Sequence, residues 1–282
     1  MPAVFVLIWS TGFIVARYGM AHAPPLSFLA LRYALSIVCF GAWVAVARPG
    51  WPRDRTQALH LCAVGVLMQA GYLGGVWSAV KAGMGAGTVA LLVGLQPVLT
   101  ALWTTQTGMG VPARQWAGLV LGLGGVFLVL QPKLGAGELH PGSFALAMLA
   151  LTSITAGTLY QKRFVGSCDV RTANLLQQVA ALAVTLPLAL LLESQPIDFA
   201  PALIGAMAWS VLGLTLGGSS LLYLLIQRGA ATQVTSLMYL VPPCTALLAW
   251  LLFGEAFSAG MAAGLALTAA GVALVTAPMR RG

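Results

Sequence analysis

The sequence predicts an all-α integral membrane protein with ten transmembrane helices arranged as two inverted five-helix repeats. Three observations predict this class: a scarcity of charge, apolar runs of helical length, and an internal duplication. Of the 282 residues, 59% are hydrophobic and only 7% are charged, whereas soluble domains carry about a quarter charged residues. A lipid bilayer is therefore the solvent that this chain fits.

The length of the apolar runs decides between helices and a barrel. In lipid the backbone satisfies its hydrogen bonds within helices or within a closed barrel, and barrel strands alternate apolar and polar residues over about ten positions. Here the runs are unbroken, as at 58–79, 88–105 and 144–160. At about 1.5 Å per residue, roughly 20 helical residues match a hydrocarbon core of about 30 Å. Helices are predicted.

Turn residues and charges interrupt the apolar pattern and set the limits of the predicted helices. The ten predicted spans are 3–19, 26–47, 57–80, 86–105, 113–131, 142–162, 172–192, 201–226, 230–252 and 258–277. The short connectors leave no room for a soluble domain. The first span has no positive charge before it, unlike a signal peptide, so a retained first helix is expected.

Lysine and arginine fall unevenly on the two sides of these spans. If the N-terminus is cytoplasmic, ten of them lie in cytoplasmic connectors or the C-terminal tail, and only Arg17, Lys81 and Lys133 lie outside. Since positive charge resists translocation, both termini are predicted to be cytoplasmic. The net charge of +8 is therefore attributed to membrane orientation and not to binding of nucleic acid.

The chain repeats itself at an offset of 146 residues. Residues 83–132 align with 229–278 without a gap, and 15 of the 50 pairs are identical, roughly threefold more than chance matching of such compositions gives. The predicted repeats are residues 1–137 and 138–282. Because each repeat has an odd number of helices, the second enters the membrane from the opposite face, as in transporters with a binding site at the midplane. Duplication preserved only for packing is the alternative.

Motifs in the first and ninth spans resemble one protein family. The segment Trp9-Ser10-Thr11-Gly12-Phe13, followed by Arg17, resembles the opening of drug/metabolite transporter (DMT) superfamily members. The segment Tyr239-Leu240-Val241-Pro242-Pro243, with Gly254-Glu255 after it, is similar to the ninth helix of the EamA branch. The resemblance covers nearly the whole chain and implies a basket of ten helices around a central cavity. It also implies efflux of amino acids, other small metabolites or drugs.

Aromatic and small polar side chains recur at similar depth in several spans, as a small-molecule site requires. The predicted substrate-binding residues are Trp9, Ser10, Thr11, Arg32, Gln69, Tyr72, Gln96, Tyr160, Gln177, Tyr223 and Tyr239. Further positions of comparable depth are Trp77, Thr155, Gln178, Ser219 and Ser220. For each single residue, hydrogen bonding between helices or a place in an interfacial aromatic belt is the alternative.

Arg32 and two prolines are special cases. A guanidinium inside a span can anchor a substrate carboxylate in bidentate fashion; alternatively, Arg32 snorkels to the helix end or pairs with Tyr33. Pro97 and Pro243 are equivalent at the offset of 146 residues, and they are predicted to kink spans four and nine as paired hinges. A static kink that only shapes packing is the alternative.

No catalytic or metal-ligating constellation is apparent in the sequence. The three histidines lie near membrane faces, so the serines of Gly217-Gly218-Ser219-Ser220 lack the base that an intramembrane hydrolase needs. The six acids fall in or beside connectors, and Glu255 is the nearest candidate for a coupling group. No phosphate-binding loop is found, so direct use of ATP is not expected. No enzyme activity, cofactor or metal is expected.

The resemblance, the duplication and these residues together imply a bacterial inner-membrane secondary transporter. It is expected to export small metabolites, amino acids or related compounds foremost, by alternating access. The expected partners are a small-molecule substrate and the lipid bilayer, with no nucleic acid, and the chain is expected to act as a monomer or a homodimer. A flippase subunit for a lipid-linked carrier is the main alternative, and it predicts a lateral groove open to lipid. An intramembrane hydrolase is the further alternative.

Overall fold

The computed structural model describes residues 2–84, 86–106, 110–131, 140–228, 236–253 and 259–276. Within these residues every regular element is helical and no strand occurs, which confirms the predicted all-α class. The helices are α1 Pro2–Gly19, α2 Pro25–Ala47, α3 Arg55–Lys81, α4 Ala86–Val93, α5 Gln96–Gln106, α6 Ala113–Leu130, α7 Pro141–Phe164, α8 Val170–Leu192, α9 Pro201–Arg228, α10 Val241–Phe253 and α11 Ala259–Thr276.

Helix length and composition identify a multi-pass membrane protein. Among the described residues, five helices are long and apolar enough to cross a bilayer, namely α2, α3, α7, α8 and α9. Shorter apolar stretches lie in α1, α6, α10 and α11. Large apolar side chains such as Val46 and Leu191 are at least 80% exposed, which lipid tolerates and water does not.

Local sequence sets where several helices begin. Helices α2, α7 and α9 each start with a proline, which has no N–H to leave unpaired in the first turn. Asp54 caps α3 by accepting a hydrogen bond from the backbone N–H of Gln57 at 2.7 Å. Asp169 caps α8 and also accepts hydrogen bonds from the Arg171 guanidinium, which lowers the pKa of the Asp169 carboxyl below its usual value.

Four segments of the described chain depart from continuous α-helix. The fourth predicted span is two helices, α4 and α5, separated at Gly94-Leu95. Helices α3 and α9 each contain a π-helical segment, Val66–Gly71 and Ser210–Ser219. A 3₁₀ turn, Leu237–Leu240, precedes α10. A shift of 146 residues places the first π segment within the second, and the α4–α5 break at the start of α10.

The two predicted hinge prolines lie beside these breaks. Pro97 and Pro243 are in the first turns of α5 and α10, not inside continuous helices. In a first turn the missing proline N–H removes no helical hydrogen bond, so each interruption precedes its proline instead of following from a kink at it. Their role as hinges stays a prediction.

Helices α6 and α11 pack against each other along glycines. A Cβ added to Gly118 would lie 2.7 Å from the carbonyl oxygen of Gly271, and one added to Gly125 would lie 2.6 Å from that of Gly264. Because the offset of 146 residues pairs 118 with 264 and 125 with 271, the contact is nearly self-complementary. Helices approach this closely only where side chains are small.

The other helices form a core around α1. Helix α2 packs on α8, α3 on α7 and α8, and α1 on α9 and α10. At the crossing of α3 and α8, a Cβ on Gly65 would overlap the backbone of Gln177. This glycine therefore allows two polar-bearing helices to meet at backbone distance.

Two connectors are tied together at one end of the bundle. The Glu193 carboxylate, just after α8, accepts hydrogen bonds from the backbone N–H groups of Leu26 and Ser27 at 2.8 and 2.7 Å. It therefore caps the N-terminus of α2, where the helix dipole favours negative charge. Nearby, His22 Nδ1 lies 2.9 Å from Asp198 Oδ2.

Candidate functional site

Trp9 of α1 lies at the centre of the polar interior. Three small cavities in the described structure, of about 30, 10 and 10 Å³, are each lined in part by Trp9. Ligand pockets typically measure about 300–1,000 Å³, so the helices are closed around this tryptophan. Its indole stacks on the Tyr72 ring with 6.2 Å between centroids and 3° between planes.

Arg32 of α2 contributes a positive charge to the largest of the three cavities. Its side chain is only 3% exposed, and its Nε donates a hydrogen bond to Thr215 Oγ1 at 2.9 Å. Tyr33 is not its partner, because the Tyr33 hydroxyl donates to the Gln69 carbonyl at 2.8 Å. The side chain therefore turns towards α9 and the cavity wall.

No carboxylate neutralises Arg32 within the described part of the chain. Asp54 and Asp169 cap helices, Glu193 caps α2, and Asp198 contacts His22. The remaining acids, Glu138 and Glu255, lie outside the described residues, so the role suggested for Glu255 stays a prediction. A buried charge in a transmembrane helix is rare and marks a functional site by default.

The two π segments carry polar groups into the same region. Gln69 lies in the π segment of α3, and Thr215 and Ser219 lie in that of α9. Gln69 Nε2 donates to Ser219 Oγ at 3.4 Å. π-helical turns often occur at functional sites, because the extra residue shifts side chains around the helix. Here the shifted face is the one that meets α2 and Trp9.

A second group of polar atoms near Trp9 is buried without a protein hydrogen-bond partner. It includes the side-chain nitrogen of Gln177 and the hydroxyl of Tyr223, which line the same small cavity. Both side-chain polar atoms of Gln178, the neighbour of Gln177, are also unpartnered. Buried polar atoms without partners are unfavourable, so this wall favours a polar ligand.

The structure therefore brings together six of the predicted substrate-binding residues around Trp9. They are Trp9, Arg32, Gln69, Tyr72, Gln177 and Tyr223. Sequence reasoning missed Thr215 and the wall residues Phe13 and Leu214. One available signal points to Thr215, since the offset of 146 residues pairs it with Gln69.

Three other predicted site residues make contacts away from these cavities. Ser10 Oγ donates to the Val6 carbonyl at 2.7 Å, and Thr11 Oγ1 accepts from the Trp209 indole at 2.8 Å. Tyr239 is fully buried, and its ring lies where a Cβ on Gly122 would clash. These residues join α1 to α9 and α10 to α6, and their contact with substrate stays a prediction.

Gln96 and Tyr160 contact α7 and α3 outside the Trp9 region. Gln96 Nε2 donates to Thr158 Oγ1 at 3.1 Å, which links the start of α5 to α7. The Tyr160 hydroxyl lies 2.7 Å from His60 Nδ1. Tyr160 also lines a larger groove of about 680 Å³ between α5 and α7. The two residues therefore stand on a different wall of the bundle from Trp9.

No catalytic or metal-binding cluster is found among the described residues. Groups of three or more His, Cys, Asp or Glu side chains are absent there. Ser219 and Ser220 have no histidine partner, since His60 contacts Tyr160 and His22 contacts Asp198. A serine nucleophile needs such a base, so the geometry provides binding groups and no catalytic pair.

Comparison with known proteins agrees with this geometry. Residues 3–131 and 142–277 each match the EamA-like transporter family. The chain belongs to that family. The resemblance inferred from the motifs is confirmed, and the protein is a membrane transporter and not an enzyme.

Relatives in several organisms carry names of the same kind. A protein of Salmonella typhimurium named "Probable amino-acid metabolite efflux pump" is 28% identical over 283 residues, covering 96% of this chain and 92% of that protein. The "Uncharacterized inner membrane transporter YedA" of Escherichia coli is 25% identical, covering 91% and 83%. A solved crystal structure has the same fold, with a TM-score of 0.79 at 20% identity, over 98% of this chain and 94% of that one.

Proposed function

We propose that this EamA transporter exports small metabolites that carry a carboxylate, amino acids and related compounds foremost. The observation that carries the proposal is Arg32, a buried guanidinium beside Trp9 and Tyr72 with no described carboxylate to pair it. Guanidinium binds carboxylate in bidentate fashion, and the stacked rings supply an apolar wall for a side chain. The name of the Salmonella relative points to the same class of substrate.

The proposed architecture is ten transmembrane helices in two inverted repeats, residues 1–137 and 138–282. Three correspondences at the offset of 146 residues support it: the π segments of α3 and α9, the breaks before α5 and α10, and the glycine contact of α6 with α11. In this arrangement α4 and α5 together form the fourth span. Unrelated helices have no reason to share irregularities at one offset.

Transport is proposed to proceed by alternating access. The cavities around Trp9 are too small for an amino acid in this state, so binding requires the helices to separate. One of these cavities is lined by Gly94 at the α4–α5 break and by Val241 at the start of α10. Movement at these two interruptions, beside Pro97 and Pro243, would open the site to one side at a time.

The proposed location is the bacterial inner membrane, with both termini cytoplasmic. The excess of lysine and arginine on one side supports this orientation. Cysteine labelling tests it together with the inverted repeat. After replacement of the four native cysteines, a cysteine at Met84 should react from outside the cell and one at Ala230 only from the cytoplasm. Reaction of both from one side contradicts the inverted repeat.

Proteoliposomes test the proposed substrate class. Purified protein is loaded with an unlabelled compound, and counterflow is measured for labelled amino acids, the corresponding amines and simple carboxylates. We expect exchange of carboxylate-bearing compounds well above that of amines, with liposomes lacking protein as the control. Exchange of amines alone, or no exchange of any solute, contradicts the proposal.

A flippase subunit for a lipid-linked carrier is the second candidate, because the groove between α5 and α7 opens at the surface of the bundle. The same proteoliposomes distinguish it. Movement of a lipid-linked sugar between leaflets, without exchange of any solute, would establish the flippase and remove the exporter.

A further inference from the structure

The groove between α5 and α7 is the largest cavity in the described structure and lies apart from Trp9. Its volume is about 680 Å³, and most of its lining is apolar, with Leu102 and Trp103 on one side and Ala156 and Leu159 on the other. Leu102 and Trp103 are 44% and 54% exposed. In a membrane protein such side chains face lipid tails, so this groove is open to the bilayer.

The depth of the groove matches one leaflet. Along α7 it extends from Thr152 to Arg163, and those eleven steps correspond to about 16 Å at about 1.5 Å per residue. Half of a hydrocarbon core of about 30 Å is about 15 Å. The groove therefore has room for the acyl region of one leaflet and does not cross the membrane.

A positive charge stands at the interfacial end of the groove. Arg163 is in the last turn of α7, which places it at the edge of the apolar region, and its guanidinium carbon lies 5.4 Å from the centre of the Phe164 ring. No described acid pairs with it. Its neighbour Lys162 donates instead to the backbone carbonyls of Ile226 and Gln227. The exposed guanidinium is thus free to bind an anionic group.

We propose that this groove binds one anionic phospholipid, with an acyl chain along α7 and the phosphate at Arg163. Basic pockets between transmembrane helices are known to hold acidic headgroups, and here the basic end and the leaflet-deep apolar channel form a single site. The bound lipid would join α5 of the first repeat to α7 of the second. The inference does not depend on the identity of the exported solute.

Native mass spectrometry of the detergent-solubilised protein tests this site. The probes are phosphatidylglycerol and phosphatidylcholine with identical acyl chains. We expect the wild-type protein to retain phosphatidylglycerol in preference, and Arg163→Gln to weaken its apparent affinity roughly fivefold, as one interfacial positive charge would. Arg53→Gln, which removes an exposed positive charge outside the groove, is the matched control and should bind like the wild type.

A steric variant tests the acyl part of the proposal. Ala156→Trp fills the groove and should weaken binding of both lipids, whereas Ala183→Trp, at an exposed position of α8, should not. Thr152→Trp, at the other end of the groove, serves the same purpose if Ala156→Trp is not folded. Equal retention of the two lipids by the wild type, or unchanged binding by Arg163→Gln, overturns the proposal. Loss of a dimer signal in Ala156→Trp does so too, because the groove would then be an interface between two copies.

Discussion

Replacing Arg32 by glutamine separates a binding role from a structural one, because the two roles predict opposite patterns of affinity and stability. Arg32 lies seven residues into α2, about 10 Å from the helix start at about 1.5 Å per residue. A charge near the centre of a transmembrane helix is unfavourable by about 2.5–3.5 kcal/mol on insertion scales. Removing that charge therefore favours the folded, inserted protein.

The opposing contribution to stability is the hydrogen bond from Arg32 to Thr215. A hydrogen bond to a charged group stabilises by about 1.5–3 kcal/mol. Thr215 keeps a second bond in the variant, because its hydroxyl also donates to the Ser210 carbonyl at 3.0 Å. The two contributions are of similar size, so we expect Arg32→Gln to change the free energy of unfolding by less than about 1.5 kcal/mol.

Affinity should change far more than stability. If the guanidinium binds the substrate carboxylate, its loss removes a charge-assisted hydrogen bond of about 1.5–3 kcal/mol. That loss corresponds to roughly a 10- to 150-fold weaker affinity. The affinity of the corresponding amine, which has no carboxylate, should stay the same. Both are measured by ligand-dependent shifts of the thermal unfolding midpoint of the purified protein, and by counterflow in proteoliposomes.

Gln178→Leu is the control, since it alters the position equivalent to Arg32 in the second repeat and no Trp9 cavity is lined by it. The reasoning is refuted if Arg32→Gln keeps the preference for carboxylates over amines. It is equally refuted if the variant loses several kcal/mol of stability while affinity is unchanged, because Arg32 is then a structural residue.

Other predictions concern packing, capping and the aromatic wall. Gly125→Ala should destabilise the protein by about 1–3 kcal/mol through overpacking against α11, whereas Gly124→Ala, where a Cβ meets nothing within 4 Å, should be neutral in the same thermal unfolding assay; equal effects of the two would contradict the α6–α11 contact. Glu193→Gln should lower stability by about 0.5–2 kcal/mol by weakening the cap of α2, and an unchanged unfolding midpoint would show that the cap is dispensable. Trp9→Ala should weaken substrate binding roughly 2- to 10-fold by removing the stack on Tyr72; unchanged affinity in counterflow would remove Trp9 from the site.

The positions of the helices followed from sequence because hydrophobicity acts locally. An apolar run must be long enough to cross lipid and must satisfy its own backbone, so the beginnings of α2 and α8 fall within two residues of the predicted ones. Glycine spacing likewise indicated close packing in α6 and α11, because small residues permit backbone approach in any partner geometry.

The internal geometry of three spans was not predictable in this way. Nothing in the composition of Val66–Gly71 or Ser210–Ser219 marks a π-helix, and Pro97 indicated a kink where the structure has a break at Gly94-Leu95. These features depend on how a helix crosses its neighbours. A local pattern contains no information about that crossing.

The sequence by itself determined the membrane class, the helices, the duplication and the family, since each depends on residues near one another or on a fixed offset. Only the tertiary structure decided that Arg32 faces Thr215 and Trp9, and that Tyr160 lies on the separate wall between α5 and α7. The rotation of each helix about its axis chooses between such neighbours. That rotation is set by close contacts such as Gly65 on Gln177, which join residues more than a hundred positions apart.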